Sequence, residues 1–304
     1  MELPKDLRDL YQHWDSHIHR TGPPLKQEDV FAESDTYIAV SHFVHERLNI
    51  WEKKHSGKPA PYTHDPVLQK YRFCNILREL DRQTIFFHTK LAPLRDDFSL
   101  WLLNMFYCRM VARTQTIEDI GLLSYTQKEN KALYTRLSEC PRPRYGTPYV
   151  FPVSTIMKSN TPTRELFITQ HLPKIMPRMA QEIQTWEKMS VAEGVERLLP
   201  LFGYNLSFLW TEVLIDVAYQ FPAYMDLYTL FPIGPGAQQT FARINPDIPG
   251  AELAEKLGAL QVPTSITIDK NPIILSAENW EGVGCEYRKY TNLQKGKGRK
   301  RIYA

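Results

Sequence analysis

The sequence predicts an all-α, two-lobed protein, and three observations carry that prediction. Apolar residues recur at the three-to-four-residue spacing of amphipathic helices in roughly ten segments. Alternating β-branched runs are scarce, 263–268 being the best strand candidate, and no strand–helix–strand rhythm runs through the chain. The 304 residues, 43% hydrophobic and 23% charged, have the composition of an ordinary globular protein with enough chain for a large core.

In chain order, residues 1–32 read as an N-terminal extension: a short helical pattern (Leu7, Leu10, Tyr11, Trp14) closed by Gly22-Pro23-Pro24. A single helical domain is expected over 33–304, divided by the proline-rich break at 140–146 into lobes of 33–140 and 141–304. Its first helix runs from near Ser34 to Lys54, with Ile38, Phe43, Val44, Leu48 and Trp51 on the apolar side. A stiff proline loop follows, and Asp65-Pro66 has the form of an N-cap with proline at the first helical position. The stretch 98–113 is apolar nearly all round and reads as a buried central helix. Further helices are expected over 124–138, 163–187, 191–199 and 206–219.

The stretch between the proline loop and the central helix is the most informative. Placed on a helix, residues 71–82 put Phe73, Ile76, Leu77 and Leu80 on one face and Asn75, Arg78 and Arg82 on the other. Two arginines one turn apart repel, and their convergence makes sense if an anion lies between them, since guanidinium forks bind phosphate bidentately. A solvated face, with Glu79 and Asp81 as local partners, accounts for the same pattern.

Net charge is only +3, yet residues 288–301 carry Arg288, Lys289, Lys295, Lys297, Arg299, Lys300 and Arg301 without an acid. That basic C-terminal tail, 288–304, is an electrostatic footprint for a polyanion. Four cysteines lie far apart with no CxxC pair, which argues against a zinc cage and a disulfide scaffold. The N-terminus lacks a signal-peptide pattern, and the apolar windows 98–111 and 206–221 are too short to span a bilayer, so the reading is a cytoplasmic protein that does not engage membranes. No Walker loop occurs, and the nine histidines show no ligand spacing, so neither a cofactor nor a metal is expected.

Two further patterns bear on chemistry. Glu212 and Asp216 lie one turn apart in an apolar helix; either one carboxyl rises towards neutrality and serves as a base, or one acid pairs with a neighbouring helix. Gly234, Gly236 and Ala237 precede a helix at 238–244, where backbone amides could approach a phosphate. In 277–290, Glu278, Cys285, Glu286 and Lys289 share a helix face, readable as a site or as a Glu286–Lys289 ion pair.

Several of these blocks resemble one family. Residues 43–51 (Phe-Val-His-Glu-Arg-Leu-Asn-Ile-Trp), the 58–68 proline loop and 71–82 (Tyr-Arg-Phe-Cys-Asn-Ile-Leu-Arg-Glu-Leu-Asp-Arg) are similar to the N-terminal signature of the alpha-glutamyl/putrescinyl-thymine pyrophosphorylases. Residues 203–216, the Gly234–Ala237 turn, Cys285-Glu286-Tyr287-Arg288-Lys289-Tyr290 and Gly298-Arg299 resemble its C-terminal blocks, although Arg288 stands where the family has an acid. These amino acid:DNA transferases are related to the helical domain of 5-hydroxymethyluracil DNA kinases. The resemblance implies a phage-encoded enzyme with a fold similar to helix-hairpin-helix DNA glycosylases. It implies that an amine, from an amino acid or a polyamine, displaces pyrophosphate from 5-(pyrophosphoryloxymethyl)uracil in double-stranded DNA. Other DNA-modification enzymes of the phage would be partners. Under it, Arg47, Asn75, Arg78, Asp81 and Arg82 would bind the pyrophosphate or substrate, and Asp216 or Glu286 would accept the amine proton. The DNA backbone would be held by Gly234, Gly236, Ala237, Lys289 and Arg299. A glycosylase-like excision enzyme and a non-catalytic DNA-binding module are the competing readings.

Overall fold

A computed structural model describes residues 1–31, 34–146, 152–298 and 300–302. The architecture is mostly helical, as the periodicity predicts, with two small two-stranded pieces. The best strand candidate is one of them: Pro263–Ile268 pairs antiparallel with Asn271–Ile274. No helix among the described residues is long and apolar enough to cross a membrane.

The chain divides into two compact units, residues 1–81 with 227–304 and residues 82–226. This differs from the lobes expected at 33–140 and 141–304. The proline-rich break proves to be a surface turn inside the second unit. Arg144 donates to the Leu137 carbonyl and pairs with Glu165, and the Gly146 amide donates to the Val111 carbonyl. Prolines mark where regular structure stops, but the cross-links decide whether a unit stops there as well.

In the first unit, the helix Ala277–Gln294 packs against Asp35–His55, Pro66–Lys70, Gln238–Ile244 and Gly250–Ala259. Side-chain caps fix the starts of several elements. Ser34 accepts from the Tyr37 amide, and Asp65 accepts from the Val67 and Leu68 amides with Pro66 at the first position. Ser276 and Asn279 form a reciprocal capping box. Residues 1–31 are not an appendage. The Leu3 amide donates to the Thr267 carbonyl along the hairpin edge, the Thr267 amide donates to the Met1 carbonyl, and Leu3, Leu7, Tyr11 and Trp14 are buried. An apolar set of that size must find a core, and it finds the hairpin and the 71–82 stretch.

In the second unit, the helix Phe98–Val111 is buried along nearly its whole length. It packs against Arg82–Leu91, Leu172–Ile183 and Ser207–Gln220, with Val191–Phe202 laid on the last. The helix expected over 163–187 is three segments: Arg164–Leu166, a π-helical stretch Phe167–His171, and Leu172–Ile183. Pro173 has no amide to donate and its ring would crowd the Thr169 carbonyl one turn earlier, so the helix widens there.

The largest departure concerns residues 71–82, which are not a helix. Residues 72–77 carry no helix or strand, and only Arg78–Leu80 form a single 3-10 turn before the helix Arg82–Leu91 begins. Tyr71 bridges Ile302, and the Arg72 amide donates to the Arg301 carbonyl, so the basic tail folds back along this stretch. The polar residues then divert the backbone from helical pairing: the Asn75 side-chain amide donates to the Leu80 carbonyl at 2.7 Å, and Asp81 accepts from the Asn75 amide at 3.0 Å. Short polar side chains that satisfy nearby backbone groups compete with the helix in this way. Phe73, Ile76, Leu77 and Leu80 are buried as expected, but by an irregular chain.

Candidate active site

The irregular stretch is held by charged side chains that grip two consecutive peptide groups. At the Phe73–Cys74 peptide, the Arg47 guanidinium donates to the carbonyl at 3.1 Å while Glu286 accepts from the amide at 3.0 Å. At the Cys74–Asn75 peptide, Arg47 donates to the carbonyl at 3.0 Å while Asp81 accepts from the amide. Both peptides are thus bound on both edges, and residues far apart in sequence are fixed around one short segment.

Glu286 is the hub. It is 5% exposed and pairs with Lys289 at 2.7 Å and with Lys300 from the returning tail, whose ammonium also lies 4.2 Å from the centre of the Phe73 ring. Burial works to raise its carboxyl, but the Lys300 and Lys289 ammonium groups prevail and hold it below its ordinary value. Asp81 goes the other way. It keeps partial solvent access, yet the dense protein around it raises its carboxyl to about 6, against the opposing pull of the Asn75 amide and of the Arg78 and Arg47 charges. Arg78 lies 3.8 Å from the buried Glu278 carboxylate. Arg47 is 4% exposed, no carboxylate among the described residues pairs with it, and its Nε has no hydrogen-bond partner.

Arg47, Asn75, Arg78, Asp81, Glu286 and Lys289 therefore come together in the first unit, though not by the helix-face geometry the spacing suggested. Asn75 acts as a staple of the turn. Glu278 was read on the shared face of the last helix with Glu286 and Lys289, but Lys300 was not singled out from sequence. Lys300 was one cation among seven in the tail, and only the tail's return, invisible to local periodicity, selects it. Arg299 lies outside the described residues. Arg82 opens the helix Arg82–Leu91 in the second unit.

Asp216 has a different setting from the one expected. It is fully buried in the second unit and accepts from Arg109 through both carboxylate oxygens, each at 2.6 Å. His88 Nε2 adds a third contact at 2.9 Å, and Gln220 holds the other ring nitrogen of His88 at 2.8 Å. Burial alone would raise the carboxyl, but the Arg109 charge and hydrogen bonds bring it down to about 2. Glu212, 3.8 Å from the same guanidinium, completes the group. Of the two readings of this carboxylate pair, the structure shows the one in which an acid pairs with a neighbouring helix, here through the buried Arg109, and a carboxylate so firmly ionised and enclosed is a poor proton acceptor.

The glycine turn is also differently employed. The Gly234 amide donates to Glu281 at 3.2 Å, so a carboxylate already occupies the position a phosphate would take. Gly236 is needed because a Cβ there would stand 2.4 Å from Cys285 Sγ, and Ala237 is fully buried. The turn seats the helix Ala277–Gln294. Gly236→Ala is expected to cost about 1–3 kcal/mol by overpacking, with Gly236→Ala/Cys285→Ala recovering most of it in urea unfolding. Equal stability of wild type and Gly236→Ala would contradict the close contact.

Comparison with known proteins sets a class on this arrangement. A family model described as "5-hmdU DNA kinase, helical domain" matches residues 34–298, and the chain belongs to that family. A 5-hmdU DNA kinase of Bacillus phage SP10 is 32% identical over 123 residues, which cover 38% of this chain and 19% of that protein's length. No solved structure matches.

Proposed function

We propose that the protein is a DNA thymine-hypermodification transferase, joining an amine to the 5-methylene carbon of 5-(pyrophosphoryloxymethyl)uracil in DNA with release of pyrophosphate. The observation that carries this reading is the cluster that gathers Arg47, Arg78, Lys289 and Lys300 with Glu286 and Asp81 around residues 73–75, within which Glu286 is held down and Asp81 raised to about 6. Environments that separate two such groups assign their parts. Glu286 anchors Lys289 and Lys300, and Asp81 takes a proton from the incoming ammonium. The freed amine nitrogen bonds to the methylene carbon as the carbon–oxygen bond to pyrophosphate breaks. Arg78 and Lys300, with Arg47 behind them, stabilise the negative charge that grows on the leaving group. The basic tail holds the DNA backbone, and the target base leaves the stack to be reached, as in the helix-hairpin-helix glycosylases that the resemblance implies. The match to a phage 5-hmdU DNA kinase supports a place in the same kind of base modification.

One observation favours a second reading: the family model describes a helical domain, not a kinase centre. On that reading the cluster only clamps the 71–82 stretch, and the protein is a DNA-binding module. Nucleoside mass spectrometry decides. DNA bearing 5-(pyrophosphoryloxymethyl)uracil is incubated with the protein and a pool of amino acids and polyamines. A nucleoside whose mass corresponds to an amine in place of the pyrophosphoryloxy group establishes the transferase and names the donor. Unchanged nucleosides with salt-dependent DNA binding establish the module, and free base with abasic sites establishes excision.

A further inference from the structure

A second constellation of chemically able side chains lies in the first unit and takes no part in the proposed transfer. His13 and His17 stand one turn apart at the short helix Trp14–Ile18, and Glu79 comes from the 3-10 turn Arg78–Leu80. All three are buried, at 1%, 0% and 0% exposure. Each offers a nitrogen or oxygen, and these atoms lie within 4.8 Å of one another. His13 Nε2 and Glu79 Oε1 are 2.8 Å apart, and the two imidazoles meet edge to face with ring centres 4.6 Å apart.

The orientation of His17 gives the cluster its meaning. The Tyr228 hydroxyl donates to the Ile274 carbonyl at 2.8 Å, so its oxygen is left to accept. His17 Nδ1 lies 3.1 Å from that oxygen and 3.4 Å from the same carbonyl, two acceptors that favour the tautomer protonated at Nδ1. Nε2 then carries a lone pair, and this buried atom has no hydrogen-bond partner. Ligating histidines show this arrangement: the distal N–H is held by a carbonyl or hydroxyl, and the other nitrogen is presented unprotonated. A buried acceptor without a donor needs an explanation, and a cation supplies one.

We propose that His13, His17 and Glu79 form a binding site for a divalent transition metal, zinc foremost. Two imidazoles and one carboxylate are a donor set that zinc takes, and the borderline ion suits nitrogen and oxygen ligands. Closing the three atoms onto an ion with bonds of about 2.0 Å requires shifts on the order of 1 Å. With all three ligands buried, the ion is structural. It ties the N-terminal helix to the turn in which Glu79 sits between Arg78 and Asp81, and so holds that turn in place. His13 and His17 precede the family-matched residues 34–298, whereas Glu79 lies within them. The His13–His17 spacing of four is a ligand spacing that the expectation of no metal passed over, and the third ligand lies far along the chain.

The test uses the full-length protein treated with chelator, then titrated with Zn²⁺ and with Co²⁺ as a spectroscopic substitute. The expected result is one ion per chain, with Co²⁺ ligand-field absorption of nitrogen and oxygen ligation. Tm should rise by about 5 °C when zinc exceeds its Kd a hundredfold. His17→Gln should lose the site at least a hundredfold in affinity. If that variant fails to fold, the wild-type titration decides alone. Less than a tenth of an equivalent bound at excess zinc would show that a water or nothing occupies the cluster, and would overturn the proposal. So would a sulfur-to-cobalt charge-transfer band, which places the ion on a cysteine, or undiminished binding by folded His17→Gln.

Discussion

Asp216→Ala is expected to destabilise the protein by about 3–5 kcal/mol, because it removes the bidentate partner of a buried guanidinium. Arg109 is 2% exposed and spends two of its nitrogens on Asp216, with Glu212 as a second carboxylate at 3.8 Å. His88 loses its acceptor at the same stroke. Arg109→Ala/Asp216→Ala should cost less than the sum of the two single changes, since the Arg109–Asp216 pair is removed together, and the difference measures the coupling. Acid adds an independent check. The Asp216 carboxyl is depressed in the fold to about 2, so its contribution is complete above the ordinary carboxylate range and is lost as pH falls from about 4 towards 2. Wild type should lose stability steeply across that interval, and Asp216→Asn should show a shallower loss from a lower starting point. Urea unfolding of Asp216→Ala within 1 kcal/mol of wild type would rule out the buried-anchor account.

How much of this was legible in the sequence depends on the range of the interactions. Helix identity was readable at Asp35–His55, Phe98–Val111 and Ser207–Gln220, where apolar spacing and capping residues are local properties. The burial of Phe73, Ile76, Leu77 and Leu80 was readable too, because large apolar side chains must go inside whatever backbone carries them. Their helix was not. Asn75 and Asp81 claim backbone groups that a helix would use, and the tail returns from residue 302 to pair with Tyr71. Periodicity records the demand for burial but not which of two backbone solutions meets it. The same limit applies to the site. Arg47, Arg78, Asp81, Glu286 and Lys289 could be named from residue chemistry and from the resemblance. For Asp216 the sequence left two readings open, because its partners, Arg109 and His88, sit on other helices. A carboxylate in an apolar helix is a base if left alone and an anchor if met by a guanidinium, and only the packing distinguishes them.

Asp81→Asn tests the proposed mechanism most directly, with an expected loss of amine transfer of about 10²–10⁴-fold, the range a positioned general base supplies. The amide is nearly isosteric and can still accept from the Asn75 amide, so the turn should persist with stability close to wild type. Asparagine cannot take up the ammonium proton. The pH dependence has a definite sign. Asp81 is competent only when ionised, and its carboxyl is raised to about 6, so kcat/KM of the wild type should climb as pH rises through about 6 and level off above it. Burial makes ionisation the unfavourable direction for the fold, so stability from this group is full below the ordinary carboxylate value and is lost as pH rises through about 6. Activity and stability should therefore move in opposite directions across the same interval, a coincidence that a purely structural carboxylate does not produce. Glu286→Gln has a different signature: Lys289 and Lys300 lose their anchor, so pyrophosphate release weakens while the limb near pH 6 survives. A wild-type profile without a limb near 6, or Asp81→Asn retaining more than a tenth of the activity, would move the base elsewhere.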